Sequence, residues 1–320
     1  MWQRIFKVRS LVIRPEDDLE VWLKYTSLCR NSGRISLSRK ILLQLMSKNV
    51  TSVQDLESNF ASTSPLVSYA FLKHFWIMGQ RKEALAGMRL FAGHLNRDLG
   101  DGQSLEKAKL LAKTFLRIGK WELEIHGELK ESFIGNVLDP FSAATQHDQK
   151  WYKAWHSWAF ANFQVISFYE RLENFEAADL AKMEWKQRIT QYVIPALQGF
   201  FRSISLSKGN SLQDTLRLLS LWFKFGSLQE VHNSVQDGFE SVSLDTWLQV
   251  IPQLIARIHI PSTHIRRLVH ELLSKVGKEH PQALIYSLTV TSKSSVSNRR
   301  NAASSILDKL KIFYPVLADL

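Results

Sequence analysis

Cysteine is almost absent from this chain, since its 320 residues include only Cys29. A single thiol cannot close an internal disulfide, which excludes the small disulfide-stapled folds of secreted proteins and predicts a reducing compartment, the cytosol or the nucleus. The neighbours of Cys29 include Trp22, Tyr25 and Leu28, so we expect the thiol to be a small core residue and not a nucleophile.

Glycine and proline are scarce as well, at 14 and 8 residues. Such low numbers are unusual for a β-rich or loop-rich protein and favour long helices joined by short turns. No apolar run approaches the roughly 20 residues that a membrane-spanning helix requires. The N-terminal residues also lack the apolar stretch and small-residue cleavage site of a signal peptide.

The motifs that mark common catalytic sites are missing. We find no Walker A loop, no dinucleotide-binding glycine fingerprint, no kinase glycine-rich or catalytic loop, and no H-E-x-x-H zinc motif. His270-Glu271 comes nearest to the zinc motif but lacks the second histidine. We therefore predict no catalytic residue and no metal site in this chain.

Aromatic residues are the conspicuous content of the chain, which has 10 tryptophans. Trp151, Trp155 and Trp158 are spaced i, i+4, i+7, which places them on one face of a helix. A face of this width has to bury itself against neighbouring helices. The pattern indicates a packed helical array.

Residues 1–190 repeat one theme: an aromatic-bearing helix, a glycine-containing turn and a second amphipathic helix. The turns lie roughly 40 to 50 residues apart, which is longer than a strict tetratricopeptide period but similar in layout. Glycine suits these turns because it adopts the left-handed conformation of a helix C-cap without strain. The predicted turns contain Gly33, Gly79 and Gly119, and a fourth lies near Glu173-Asn174 before a helix through Ala177, Ala178 and Ala181.

In residues 191–320 the apolar pattern stays helical while prolines appear, for example at Pro195, Pro252 and Pro261. We predict a helix at Leu212–Phe225 and a second from Leu244 to Ile258 that breaks near Val250, ahead of Pro252. Paired helices of this kind resemble HEAT repeats. The predicted fold class is therefore an all-α solenoid of helical hairpins, tetratricopeptide-like over 1–190 and HEAT-like over 191–320. Neither end carries a polar capping repeat, so we expect a segment of a longer polypeptide.

The formal net charge is 41 − 30 = +11, spread over the chain and not concentrated in a tail, which favours a mildly basic solvated surface over a nucleic-acid face. One basic stripe stands out: Lys109, Lys113, Arg117 and Lys120 follow a helical period. Lys153 lies on the corresponding helix of the next repeat. These cations could converge on a polyphosphate ligand, or they could be an ordinary solvated stripe, and spacing alone favours the stripe.

Four stretches resemble a known family: residues 11–34, 147–163 (HDQKWYKAWHSWAFANF), 193–223 (VIPALQGFFRSISLSKGNSLQDTLRLLSLWF), and 246–258 with 280–294. Together they are similar to the FAT domain of target of rapamycin (TOR) kinases, serine/threonine kinases related to phosphatidylinositol 3-kinase. The resemblance implies a solenoid that clamps a kinase domain, which would lie with the rapamycin-binding domain outside this chain. ATP and magnesium would then bind only that kinase domain.

The resemblance also implies partners and a ligand. The partners would be the kinase domain of the same polypeptide and scaffold subunits of the Raptor or Rictor type, and the full-length parent protein would be a dimer. The ligand would be inositol hexakisphosphate, in a basic pocket to which Lys113, Arg117 and Lys153 would belong. The parent would be cytoplasmic, peripheral to lysosomal or vacuolar membranes, or nuclear. The alternative is a free-standing helical adaptor that binds proteins or peptides on its concave face. Nothing in the motifs asks for nucleic-acid binding, and no transmembrane segment is expected.

Overall fold

The computed structural model describes residues 2–46, 50–99, 104–173, 179–207, 209 and 211–315. In these residues it contains seventeen α-helices and one short 3-10 helix, and no strand. The predicted all-α fold of helical hairpins is confirmed. The chain divides into two compact units, residues 1–148 and residues 149–320.

The first unit contains eight α-helices in its described residues, most of them paired as antiparallel neighbours along the chain. They are α1 (Trp2–Arg9), α2 (Leu19–Asn31), α3 (Ile35–Gln44), α4 (Val53–Glu57), α5 (Pro65–Ile77), α6 (Arg81–Leu99), α7 (Leu105–His126) and α8 (Ile134–His147). A 3-10 turn at Glu131–Phe133 leads into α8.

Glycine ends two of the first helices, as the sequence predicts. Gly33 follows α2 with φ of +76°, and Gly79 follows α5 with φ of +92°. In each turn the residue after the glycine returns a backbone hydrogen bond to the helix, from Arg34 N to the Cys29 carbonyl (2.9 Å) and from Gln80 N to the Phe75 carbonyl (3.2 Å). This closure satisfies carbonyls that a helix end leaves open, and the predicted α2–α3 and α5–α6 hairpins are confirmed.

The predicted turn at Gly119 is wrong, because α7 continues through it to His126. Gly119 has a packing role instead: an added Cβ would lie 2.9 Å from the ring of Phe141 on α8. The missing side chain lets α8 approach α7 closely. The turn comes eight residues later, at Gly127, where φ is +66°.

Large apolar side chains fill the first unit between the helices. Trp76 of α5 stacks on Trp121 of α7 with ring centroids 4.2 Å apart, and both are buried. A smaller cluster joins α1 to α2 and includes Cys29, which is 3% exposed and therefore the small core residue that the sequence predicts. Burial of such aromatic pairs holds together the helices that carry them.

The second unit contains nine α-helices in its described residues. They are α9 (Tyr152–Glu173), α10 (Asp179–Leu206), α11 (Leu212–Phe225), α12 (Gln229–Phe239), α13 (Leu244–Leu248), α14 (Ile251–Ala256), α15 (Thr263–Glu279), α16 (Pro281–Ser292) and α17 (Ser297–Phe313). The predicted turn near Glu173-Asn174 lies outside the described residues, as do Ala177 and Ala178, whereas Ala181 lies in α10.

Helices α9 and α10 approach each other very closely through small residues. A Cβ on Gly199 would lie 2.8 Å from the Cβ of Ala159, and Ala154, Ala159 and Ala161 are buried. The tryptophans Trp155 and Trp158 are only half-buried, so the expectation of a deeply buried tryptophan face is corrected. Alanine takes the centre of this interface because only a small side chain permits the short distance.

Proline breaks one helix of the second unit and not another. The predicted break near Val250 is confirmed, since Val250 is the N-cap of α14 and Pro252 lies in its first turn. Pro195, in contrast, lies inside the continuous α10. The sequence boundary between 190 and 191 consequently falls within α10. The division into tetratricopeptide-like and HEAT-like parts at that point stays a prediction.

Candidate functional site

The basic stripe of α7 has the predicted orientation. Lys113 is exposed and Arg117 half-buried, while Leu111 and Ile118 on the opposite face are buried. Lys109 Nζ lies 2.9 Å from Glu106 Oε1, so its charge is locally compensated. Lys113 and Arg117, the two predicted pocket residues of α7, form no ion pair among the described residues and are the candidates for binding a ligand.

Two further cations, which the sequence analysis did not identify, lie beside Arg117. Arg30 at the end of α2 is only 5% exposed, and burial together with the charge of Arg117 lowers the pKa of its guanidinium. Lys73 on α5 is partly buried, and burial with the charges of Arg30 and Arg117 lowers the pKa of its ammonium to about 8. Three helices thus bring Arg30, Lys73 and Arg117 close enough to repel one another.

Tyr69 connects the helices that carry these cations. Its hydroxyl approaches the Lys113 carbonyl oxygen of α7 at 3.5 Å, a long hydrogen bond, and its ring lies 5.3 Å from Lys73 Nζ. A ring face attracts a nearby ammonium, so Tyr69 helps to hold Lys73 toward α7. We call Arg30, Tyr69, Lys73, Lys113 and Arg117 the basic cluster.

The cations at the centre of the basic cluster form no ion pair in the part of the chain that the structure describes. Among the described residues, no ion pair joins Arg30, Lys73 or Arg117 to a carboxylate. Arg30 donates through Nη2 to Ser27 Oγ at 3.2 Å, but its buried Nη1 has no hydrogen-bond partner in the structure. An unsatisfied buried guanidinium group is costly to a fold. This cluster is therefore suited to bind an anion.

His74, the neighbour of Lys73, does not add to the positive charge. Its side chain is 1% exposed, and burial with the charges of Arg30 and Arg39 lowers its pKa to about 4. The imidazole is consequently neutral near pH 7. Both of its ring nitrogens lack a hydrogen-bond partner in the structure.

Lys153, the third residue predicted for the pocket, belongs to the second unit. It lies in the first turn of α9 with an exposed side chain, and its Nζ is 6.0 Å from the ring centre of Tyr152. Its participation in an anion site stays a prediction.

The sequence did contain a sign that Lys73 has a special role. It is a single lysine between Phe71-Leu72 and His74-Phe75, an apolar run in which burial of a charged residue costs free energy.

A second polar cluster lies in the second unit around Asp214, which is 6% exposed. The Asp214 carboxylate accepts hydrogen bonds from Ser203 Oγ (2.9 Å) and Arg217 Nη1 (3.3 Å) and contacts His156 Nδ1 at 2.8 Å. Ser203 donates to the Asp214 carboxylate, which is a weaker base than the imidazole that usually activates a nucleophilic serine. The cluster ties α9, α10 and α11 together.

Other chemical groupings in the described residues are limited. They contain no group of three or more His, Cys, Asp or Glu side chains that could hold a metal ion. Within the same residues, no helix is both long enough and apolar enough to cross a membrane.

Comparison with known proteins covers the whole chain. A sequence model of the FAT domain matches residues 1–220, and a model described as "Serine/threonine-protein kinase ATR-like, HEAT repeats" matches residues 230–315. The chain is 40% identical over 97% of its length to "Serine/threonine-protein kinase tor1" of Schizosaccharomyces pombe and spans 14% of that protein. It is 40% identical over 100% of its length to TOR2 of Saccharomyces cerevisiae, again spanning 14%.

Among solved structures, the chain resembles one described as "FAT and kinase domain of CtTel1" with a TM-score of 0.60. The alignment covers 92% of this chain and 23% of the other at 14% identity, so it supports the fold alone. The curated relatives are about seven times longer than this chain, which spans 13–14% of the first three. Sequence identity across almost the whole chain shows that it belongs to the FAT-domain family of TOR-type serine/threonine kinases.

Proposed function

We propose that this chain is a non-catalytic scaffold that positions the kinase domain of a TOR-type polypeptide and supports assembly of its complex. Family membership over the full length supports this proposal. The packing supports it too, because helices buried against each other through residues such as Gly199 and Ala159 resist bending. A rigid helical array can hold two distant elements in a fixed geometry.

The proposed scaffold also binds an inositol polyphosphate, inositol hexakisphosphate being the natural candidate. The observation that carries this part is the basic cluster, in which Arg30, Lys73 and Arg117 lie together without a carboxylate. Phosphate oxygens would supply the missing negative charge, and guanidinium groups bind phosphate with paired hydrogen bonds. Lys113, exposed on the same helix as Arg117, completes the binding surface.

The wider assignments remain proposals. They comprise a kinase domain that alone binds ATP and magnesium, partners of the Raptor or Rictor type, a dimeric parent, and a cytoplasmic complex at endomembranes. The scaffold role supports them because such assemblies need a rigid connector. A free-standing adaptor is the competing function, and the experiments below separate the two.

The ligand is tested by thermal unfolding of the chain with and without inositol hexakisphosphate. We expect the ligand to raise the midpoint of the wild type, and the Lys113→Glu/Arg117→Glu double variant to lose most of that rise. Lys82→Glu, at an exposed position of α6, is the matched control and should keep it. An equal rise in the double variant would refute the assignment. Lys153→Glu, measured separately, tests the remaining predicted residue.

The scaffold is tested in the S. pombe tor1 kinase, with its matching segment replaced by this chain. We expect the chimaera to retain protein kinase activity and the isolated chain to have none. Gly199→Leu should reduce activity of the chimaera because the new side chain would collide with Ala159, whereas Gly93→Ala, with open space around its Cβ, should not. An inactive chimaera with a folded segment would favour the adaptor.

A further inference from the structure

Helix α11 of the second unit carries apolar side chains on two faces. Trp222 and Phe225 belong to the face that is buried within the unit. On the other face, Leu216, Leu219 and Phe223 follow the i, i+3, i+7 spacing of a helical stripe. These three side chains line an open groove of about 620 Å³. The second apolar face of α11 is therefore the floor of a groove.

The opposite wall of the groove comes from α14 and the residue that follows it. Gln253 and Ala256 lie in α14, Arg257 comes directly after its last residue, and all three are exposed. Their spacing of i, i+3, i+4 is again that of one helix face. A groove between two helical stripes has the shape that a third helix fills, because its side chains can enter between those of the two walls.

The rim of the groove is positively charged. The Arg257 guanidinium lies 5.9 Å from the ring centre of Phe223, and Arg257 forms no ion pair among the described residues. Lys224 also borders the groove, and its charge is compensated by Glu170, whose Oε1 lies 2.8 Å from Lys224 Nζ. None of the described groove residues is an Asp or a Glu. The uncompensated charge of Arg257 favours an acidic occupant.

Building on the proposed scaffold, which supports assembly of a complex, we propose that this groove binds an acidic amphipathic helix of a partner protein. The apolar side chains of that helix pack on Leu216, Leu219 and Phe223, and one of its carboxylates pairs with Arg257. The exposed polar rim favours a partner protein over another part of the same polypeptide. Interfaces between permanently associated parts are more apolar than a narrow floor with a charged border.

The test is fluorescence anisotropy of the whole chain with a labelled synthetic helix of about 14 residues, the length of α11. Leucines follow the i, i+3, i+4, i+7 spacing of this peptide, and glutamates and alanines fill its other positions. Two matched peptides carry glutamine or lysine in place of every glutamate. We expect the acidic helix to bind best, the glutamine helix to bind about fivefold more weakly, and the lysine helix not to bind.

Substitutions in the groove test where the helix binds. Phe223→Ala removes part of the floor and Ala256→Glu places a bulky acid at an exposed position of the wall, so each should weaken binding of the acidic helix about tenfold. Arg257→Glu should weaken it to a similar extent and allow the lysine helix to bind. Ala283→Glu on α16 and Lys311→Glu on α17, both at exposed positions, are the matched controls and should bind as wild type.

The remaining outcomes separate this inference from the scaffold role. No binding of the acidic helix, or unchanged binding in Ala256→Glu, would overturn the site. Competition by inositol hexakisphosphate would place the helix on the basic cluster and overturn it too. The tor1 chimaera should bind the helix as tightly as the isolated chain. If it does not, another part of the polypeptide occupies the groove and the partner assignment is wrong. Kinase activity of the chimaera reports the scaffold role independently.

Discussion

Two buried charges, one in each unit, have opposite surroundings. In the second unit, the buried carboxylate of Asp214 is surrounded by Ser203, Arg217 and His156, each within 3.3 Å. In the first unit, the buried guanidinium of Arg30 has Ser27 as a partner for one nitrogen, and its charged neighbours repel it. The charge of Asp214 is compensated by protein side chains, whereas no described carboxylate compensates the charge of Arg30.

The contrast is not a general property of the first unit. Its buried carboxylate Glu122 is compensated by Arg89 on α6 and by His126, whose Nε2 lies 3.4 Å away. The first unit can therefore supply a buried charge with partners of opposite charge when that charge only holds helices together. The contrast between Glu122 and Arg30 within one unit supports the proposed anion site.

The largest effect on stability is expected for Asp214, whose buried charge is compensated by protein side chains. Asp214→Ala would leave Arg217, His156 and Ser203 without their acceptor, at a cost of about 3 kcal/mol in the free energy of unfolding. Urea unfolding at pH 7 measures this loss. The control is Asp308→Ala on the exposed side of α17, which should change stability by less than about 0.5 kcal/mol. A loss below about 1 kcal/mol for Asp214→Ala would show that the cluster does not hold α9, α10 and α11 together.

An intermediate effect is expected from His74 at acid pH. Burial and the charges of Arg30 and Arg39 lower its pKa to about 4, so between this value and its ordinary pKa the unfolded chain binds more protons. Stability is therefore full above about pH 6.5 and falls as pH drops, by about 2 kcal/mol between about pH 7.5 and about pH 5. His74→Met should lose this part of the slope in urea unfolding. Identical slopes for the two proteins would refute it.

Much of the fold could be predicted because its signals are local. Gly33 and Gly79 end helices through their own backbone conformation, and Pro252 starts α14 because it cannot continue a preceding helix. The role of Gly119 is not visible locally because it depends on Phe141, more than twenty residues away. A glycine that ends a helix and one that admits a neighbouring ring look alike in a single sequence.

The site was predictable only in part, for the same reason. Lys113 and Arg117 share one helix, so their spacing places them on one face. Arg30 and Lys73 reach them from α2 and α5, and no local pattern joins these helices. Arg30 in the last turn of a helix is also an ordinary stabilising position for a cation. The tertiary packing, which makes it buried and incompletely bonded, gives it a different role.

The smallest effect, with the opposite sign, is expected for Lys73→Met in the absence of ligand. Below about pH 8 this change removes a cation that is repelled by Arg30 and Arg117, so the protein should gain about 1 kcal/mol after allowance for solvent screening. The gain should shrink as pH rises from about 8 toward 10.5, because the folded wild type then sheds the same charge. Urea unfolding at pH 7 and 10 measures both values, with exposed Lys82→Met as the control. A loss of stability at pH 7 would mean that Lys73 already has its counter-charge within the protein, and the first unit would then resemble the second.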